Sequence, residues 1–132
     1  MGQDNGRADN MDTKYNLTKT VVSRILYYMV EIRKTALFAT WLNGLRDLRA
    51  RAKVQSKIER LAAGNAGDVK PVGEHVSEMR IDFGPGYRVY FVQRGRELII
   101  LLAGGDKNTQ AGDIKTALRL ARNLSRYCHD RE

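Results

Sequence analysis

The sequence predicts an α+β domain in which helices pack on a small, mostly antiparallel sheet. Three observations carry this expectation: an alternating run at 27–33, two segments of helical period after it, and then three alternating runs joined by short links before a last helical segment. At 132 residues the chain has the size of a single domain, large enough to fold around its own core without metal or disulfide.

Residues 1–16 are rich in Gly, Asn and Asp, lack apolar period, and are expected to be disordered. Leu17, Val21, Val22, Ile25 and Leu26 recur at helical spacing, which predicts a short amphipathic helix over 17–27 if something covers its apolar side. In 27–33, Tyr28, Val30 and Ile32 alternate against Met29, Glu31 and Arg33 and predict a strand. Thr35 is placed to cap a first helix that carries Phe38, Trp41, Leu42 and Leu45. A second helix is expected over 47–63, with Val54, Ile58 and Leu61 on one side and Gly64-Asn65 as its stop. Its other side holds Arg46, Arg49, Lys53, Lys57 and Arg60 within about 80° of one another, a basic stripe whose plain reading is a solvated face.

After the turn at 64–68 the period changes from helical to alternating. Val76–Ile81, 87–93 and 97–103 are the three strand segments, joined by the links DFGPG and RG into a meander. The third segment, ELIILLA, is apolar on both sides, so a central position is expected, with Gly104 and Gly105 ending it. A last helix is expected from near Thr109, burying Ile114, Ala117, Leu118, Ala121 and Leu124 and turning Lys115, Arg119, Arg122 and Arg126 outward.

Lys and Arg number 23 against 15 Asp and Glu, a formal charge of +8, which favours anionic partners. With one cysteine, Cys128, and two histidines, His75 and His129, a Cys/His zinc site lacks ligands, and no metal or cofactor is expected. The apolar run from Ile25 to Val30 is far short of the about 20 residues a membrane helix needs. A polar N-terminus without a secretory signal favours a cytoplasmic location.

Pairing Ile81 with Tyr87 in the DFGPG hairpin also sets Met79 against Val89 and Ser77 against Phe91, gathering apolar side chains on one face. The other face then holds Arg80 directly across from Arg88. Like charges so placed repel, and two readings stand side by side: an anionic ligand such as phosphate relieves them, or Glu78 on the same face neutralises them. Gly104 to Gln110 lies between a strand and a helix, a position where N–H groups and Lys107 meet anions, but it lacks the spacing of a phosphate-binding P-loop. Its plain reading is a tight glycine turn with Asn108 or Thr109 as helix cap. Asp68 and His75 are expected on a loop without partners, no serine hydrolase motif occurs, and no conventional general base is evident.

The segments IRKTALFATWLNGLRD, RLAAGNAGDVKPVGEHVSEMRI, FGPGYRVYF and LIILLAGGDKNTQAGDI, in this order, resemble the RelE/ParE superfamily of toxins, and within it the HigB-like addiction module killer group. The resemblance covers about residues 29–125 and implies a compact, twisted antiparallel sheet. It implies the toxin of a type II toxin–antitoxin system, neutralised by an antitoxin that in this group is a helix-turn-helix protein. The implied activity is cleavage of mRNA, commonly on the ribosome, by a metal-independent endoribonuclease that stops translation and arrests growth. Two other readings remain open: a ParE-like poison of DNA gyrase, and a noncatalytic RNA-binding module.

Carried over by position, Arg80, Arg88 and Lys107 match basic or catalytic positions of the RNA-cleaving members, and Lys70 is a looser match. The tyrosine that RelE uses near its last helix has no equivalent, since that stretch reads TQAGD. Tyr87 and Tyr90 are the nearest aromatic residues, and Tyr90 joins Lys70 and the basic stripe as an expected RNA contact. Cleavage by the ribose 2′-hydroxyl needs groups that hold the phosphate and stabilise added charge, roles assigned here to Arg80 and Arg88, with Lys107 for charge stabilisation or proton transfer. Residues 1–28 precede the usual start of the group, which divides the chain into an extension and a toxin domain over 29–132, with Met29 an alternative initiation site.

Overall fold

The computed structural model describes residues 30–131. The disorder expected for 1–16, the helix at 17–27, the first part of the 27–33 strand, and the side chains of Arg126, Cys128 and His129 lie outside the described residues. The elements are β1 (Glu31–Lys34), α1 (Ala36–Asn43), α2 (Leu48–Ala62), β2 (Val69–Gly73), β3 (Val76–Ile81), β4 (Tyr87–Arg94), β5 (Leu98–Asp106), a 3₁₀ turn (Lys107–Thr109) and α3 (Gln110–Arg131). The sheet runs β1-β5-β4-β3-β2; β1 is parallel to β5 and every other pair is antiparallel. This is the expected α+β arrangement.

Alternation along β5 explains why helices cover both faces. Ile99 and Leu101 join Phe38, Leu42, Val54, Ile58 and Met79 in a core under α1 and α2, whereas Ile100 and Leu102 join Tyr90, Val92, Ala117 and Ala121 under α3. Thr35 caps α1 as expected: its Oγ1 accepts from Phe38 N at 3.0 Å and donates to Leu102 O at 2.7 Å, tying the helix to the sheet. Asp47 caps α2 by accepting from Arg49 N and Ala50 N. Arg51, outside the basic stripe, closes the link between the two helices by donating from Nη2 to Asn43 O and Leu45 O at 2.9 and 3.0 Å.

Two expectations are corrected. The segment expected as loop before Val76 contains β2, an edge strand antiparallel to β3 with an irregularity between Pro71 and Gly73. Its length and its proline hide the alternation, and proline is tolerated because the strand lies at the sheet edge. Gly104 and Gly105 do not end β5, which continues to Asp106. The Trp41 indole fills the place a Cβ on Gly104 would take, and the Asp113 and Thr109 side chains do the same at Gly105. These glycines serve close packing inside a strand. The cap of the following turn is Asp106, which accepts from Asn108 N at 2.8 Å while Thr109 Oγ1 accepts from Asp106 N at 3.2 Å.

Glu74 and His75 link β2 to β3 with φ of 48° and 68°, a left-handed pair that matches the twist of the strands but carries side chains where glycine or asparagine is usual. Arg122 of α3 holds the turn through Nε and Nη2, each 2.8 Å from a Glu74 carboxylate oxygen.

Gly104→Ala should lower stability by about 1–3 kcal/mol through the clash with Trp41, whereas Gly112→Ala, with open space around it, should raise it by about 0.5–1 kcal/mol; urea unfolding of the two variants checks both signs. The hydrogen bond from Arg122 holds the Glu74 carboxyl below its ordinary value of 4.5. A depressed carboxyl stabilises the fold above that value and loses its contribution as pH falls through the folded-state value. Glu74→Gln should therefore be less stable than wild type at neutral pH, the two converging in acid, as read from unfolding midpoints across pH.

Candidate nucleic-acid interface

A cleft of 630 Å³ opens where the end of β3, the 82–86 link and the start of β4 meet α2 and the 3₁₀ turn. The link turns through Gly84 and Gly86, with φ of 56° and 83°, and closes with Gly86 N donating to Phe83 O at 3.1 Å. At Gly86 the chain lies against both Arg88 and Lys107; a Cβ there would stand 3.7 Å from Arg88 Nη1 and 4.0 Å from Lys107 Cβ. From α2 come Lys53, Lys57 and Arg60, and Lys53 Nζ sits 5.9 Å from the centre of the Phe83 ring. The lining thus holds six cations, Arg80, Arg88 and Lys107 among them, against the carboxylates of Asp68 and Asp82.

Arg80 and Arg88 face each other across β3 and β4 in the expected register. Their surroundings differ. The Arg80 side chain is 48% exposed and its Nε is 3.7 Å from Asp68 Oδ2, whereas the Arg88 side chain is 8% exposed and its Nε is 3.6 Å from Glu78 Oε2. Arg88 Nη1 also donates to Gly86 O at 3.1 Å. Glu78 is fully buried; its Oε2 accepts from the Tyr90 hydroxyl at 2.9 Å and from Gln110 Nε2 at 2.8 Å. Glu78 therefore neutralises one arginine of the pair, and Asp68 stands beside the other. Asp68 reaches Arg80 because β2 pairs with β3, where Arg80 N donates to Asp68 O at 3.0 Å.

The expected contact residues divide. Arg80, Arg88, Lys107, Lys53, Lys57 and Arg60 line one cleft, but Arg46, Arg49 and Lys70 do not. Arg46 precedes the cap of α2, and Lys70 lies on β2 with its Nζ 4.0 Å from Glu78 Oε1. Tyr90 is a correction. It is completely buried, since Tyr90 and Val92 of β4 pack under α3, and it cannot meet RNA. Burial, reinforced by the hydrogen bond to Glu78, raises its phenol above the ordinary value, so it stays a neutral donor. The aromatic side chain that reaches the cleft is Tyr87, edge-on to Trp41 with ring centres 6.2 Å apart.

The start of the last helix, where the sequence sets an anion site against an ordinary turn and cap, is filled from within, by the Asp106 carboxylate on Asn108 N and by Thr109 Oγ1, which itself donates to Asp113 Oδ2. What this segment contributes to the cleft is the Lys107 side chain. His75 sits at the far end of β3 from the cleft. Sequence reasoning missed Asp82 as a cleft residue, although its place in the DFGPG link was the available signal.

Among the described residues no three His, Cys, Asp or Glu side chains are grouped to hold a metal ion, and no helix is long and apolar enough to cross a membrane. A small basic α+β domain with a cationic cleft is the class that fold and site define. Residues 40–125 match the family described as phage derived protein Gp49-like (DUF891), and the chain belongs to this family, which is a RelE/ParE-like toxin family. An uncharacterized protein of Haemophilus influenzae (strain ATCC 51907 / DSM 11121 / KW20 / Rd) is 50% identical to it over 95 residues, 72% of this chain and 96% of the relative. No solved structure matches the chain.

Arg88→Ala should cost about 3–5 kcal/mol, because it takes the nearer and more buried cation from the buried Glu78 carboxylate and leaves Lys70 at 4.0 Å. Arg80→Ala, at an exposed site, should stay within about 0.5 kcal/mol of wild type. Chemical denaturation of both variants measures the contrast.

Proposed function

We propose that this protein is the toxin of a type II toxin–antitoxin pair, of the HigB-like kind, and that it cleaves mRNA in the cytoplasm as a metal-independent endoribonuclease. The observation that carries the reading is the convergence of Arg80, Arg88 and Lys107, from two strands and the 3₁₀ turn, in one cleft with three further cations from α2. RNA brings its own nucleophile in the 2′-hydroxyl, so the protein's part is to grip the phosphate, align the attack and stabilise the added negative charge.

The two arginines suit complementary parts of that task. Arg88, fixed by Glu78 and the Gly86 carbonyl, is a preset donor that need not reorganise, and Arg80, half in solvent, follows the incoming phosphate. Lys107 neutralises the charge that develops on the phosphate and leaving oxygen. The toxin domain begins at Met29 in this reading, with residues 1–28 an extension, and the cognate antitoxin is a helix-turn-helix protein that covers the cleft. The message is cut on the ribosome or free.

The test follows from the exposure of Arg80 and Lys107, whose replacement leaves the fold intact. Induction of the wild type should arrest growth and create new mRNA ends within minutes, while Arg80→Ala and Lys107→Ala should each reduce cleavage roughly 100-fold. RNA-end sequencing reads the outcome. Folded variants that arrest growth like the wild type would refute the assignment, and intact transcripts with broken DNA would replace RNA by gyrase as the target.

A further inference from the structure

We propose that Asp82 is the general base of this cleft, the group that takes the proton from the attacking 2′-hydroxyl; the inference rests on the ribonuclease reading. The carboxylates near the cleft are not equivalent. Glu78 is buried and bound to Tyr90, Gln110 and Arg88, and Asp68 stands 3.7 Å from Arg80. Asp82 is exposed, lines the same cleft, and has no ion-pair or hydrogen-bond partner among the described residues. A carboxylate that lines a cleft with six cations yet lies beyond 4.0 Å of all of them is not tied up in an ion pair and stays open to a substrate proton.

Elimination by chemistry agrees. Guanidinium groups keep their protons at any physiological pH and cannot accept one. Tyr90 is buried as a neutral donor, and His75 lies at the other end of β3. Lys107 starts as an ammonium and suits the opposite role, giving a proton to the leaving group. The step then balances: the 2′-oxygen bonds to phosphorus as its proton passes to Asp82, and the P–O5′ bond breaks as O5′ takes a proton from Lys107 Nζ. The products are a 2′,3′-cyclic phosphate and a 5′-hydroxyl, and exchange with water returns the proton from Asp82 to Lys107.

The experiment uses the full chain with a defined message, free and on programmed ribosomes, and compares wild type, Asp82→Ala and Asp82→Asn. Both variants should fold with the wild-type unfolding midpoint and bind a short RNA within twofold of wild type, but cleave at least 100-fold more slowly. Sodium formate should restore part of the Asp82→Ala rate, where sodium chloride at equal ionic strength does not, because a small carboxylate fits the space left by the side chain. Wild-type ends should carry the cyclic phosphate and 5′-hydroxyl. Cleavage by Asp82→Ala within twofold of an active wild type, or loss of activity without formate rescue, overturns the base assignment alone. A wild type that leaves RNA intact in both formats overturns the ribonuclease reading and this inference with it.

Discussion

Glu78 carries its charge into the interior between the sheet and α3, and partners from β4 and α3 converge on it. An ion removed from water costs several kcal/mol unless partners replace its hydration, so the Tyr90 hydroxyl, the Gln110 amide and the Arg88 guanidinium must be in place together when the domain closes. That requirement couples β3, β4 and the first turn of α3. Gln110 follows Lys107 by three residues, so the anion that anchors Arg88 also fixes where the 3₁₀ turn ends and hence where Lys107 starts. A buried apolar residue in place of Glu78 could give an equally stable core, but it would fix neither cation.

The cleft therefore contains two kinds of positive charge. Arg88 is held, largely dry and directional, while Arg80 and the lysines remain solvated and adjustable. Arginines facing each other across a strand pair repel, and the sheet accepts them because separate carboxylates stand by each, Glu78 for one and Asp68 for the other. Asp68 holds Arg80 loosely, at 3.7 Å and in solvent, so their contact contributes little to the fold. Glu78 cannot be displaced, because leaving it alone in the interior costs more than a surface contact returns.

Local rules made part of this legible. The register of the β3–β4 hairpin followed from the need to put Met79, Ile81, Val89 and Phe91 on one buried face, and it placed Arg80 opposite Arg88. The Thr35 cap was equally readable, since it needs only a hydroxyl before an apolar helical period. Tertiary packing decided the rest. Alternation shows that Arg88 and Tyr90 share a face but not that α3 covers that face as far as Tyr90 and leaves the start of β4 open to the cleft. β2 was invisible because its five residues include a proline and a glycine, and with it went the reason for Asp68 to stand beside Arg80. The stripe on α2 split for a similar reason: helical angle groups five residues, but only Lys53, Lys57 and Arg60 lie at the height of the hairpin end.

The misread glycines show how packing shapes the cleft. A strand ending at Gly104 would stop opposite Val89 and start the following turn two residues early. Instead the chain stays paired through Gly105 opposite Arg88 and Asp106 opposite Tyr87, which brings Lys107 to the mouth of the cleft. The strand can extend so far because Gly104 has no side chain to meet Trp41, and Trp41 in turn packs between Phe38 in the core and Tyr87 at the cleft wall. The aromatic contacts and the absent Cβ atoms thus give one rigid path from the helix–sheet core to the cationic site. Glycine here supplies close approach rather than flexibility, and Lys107 is placed by the strand that leads directly into its turn.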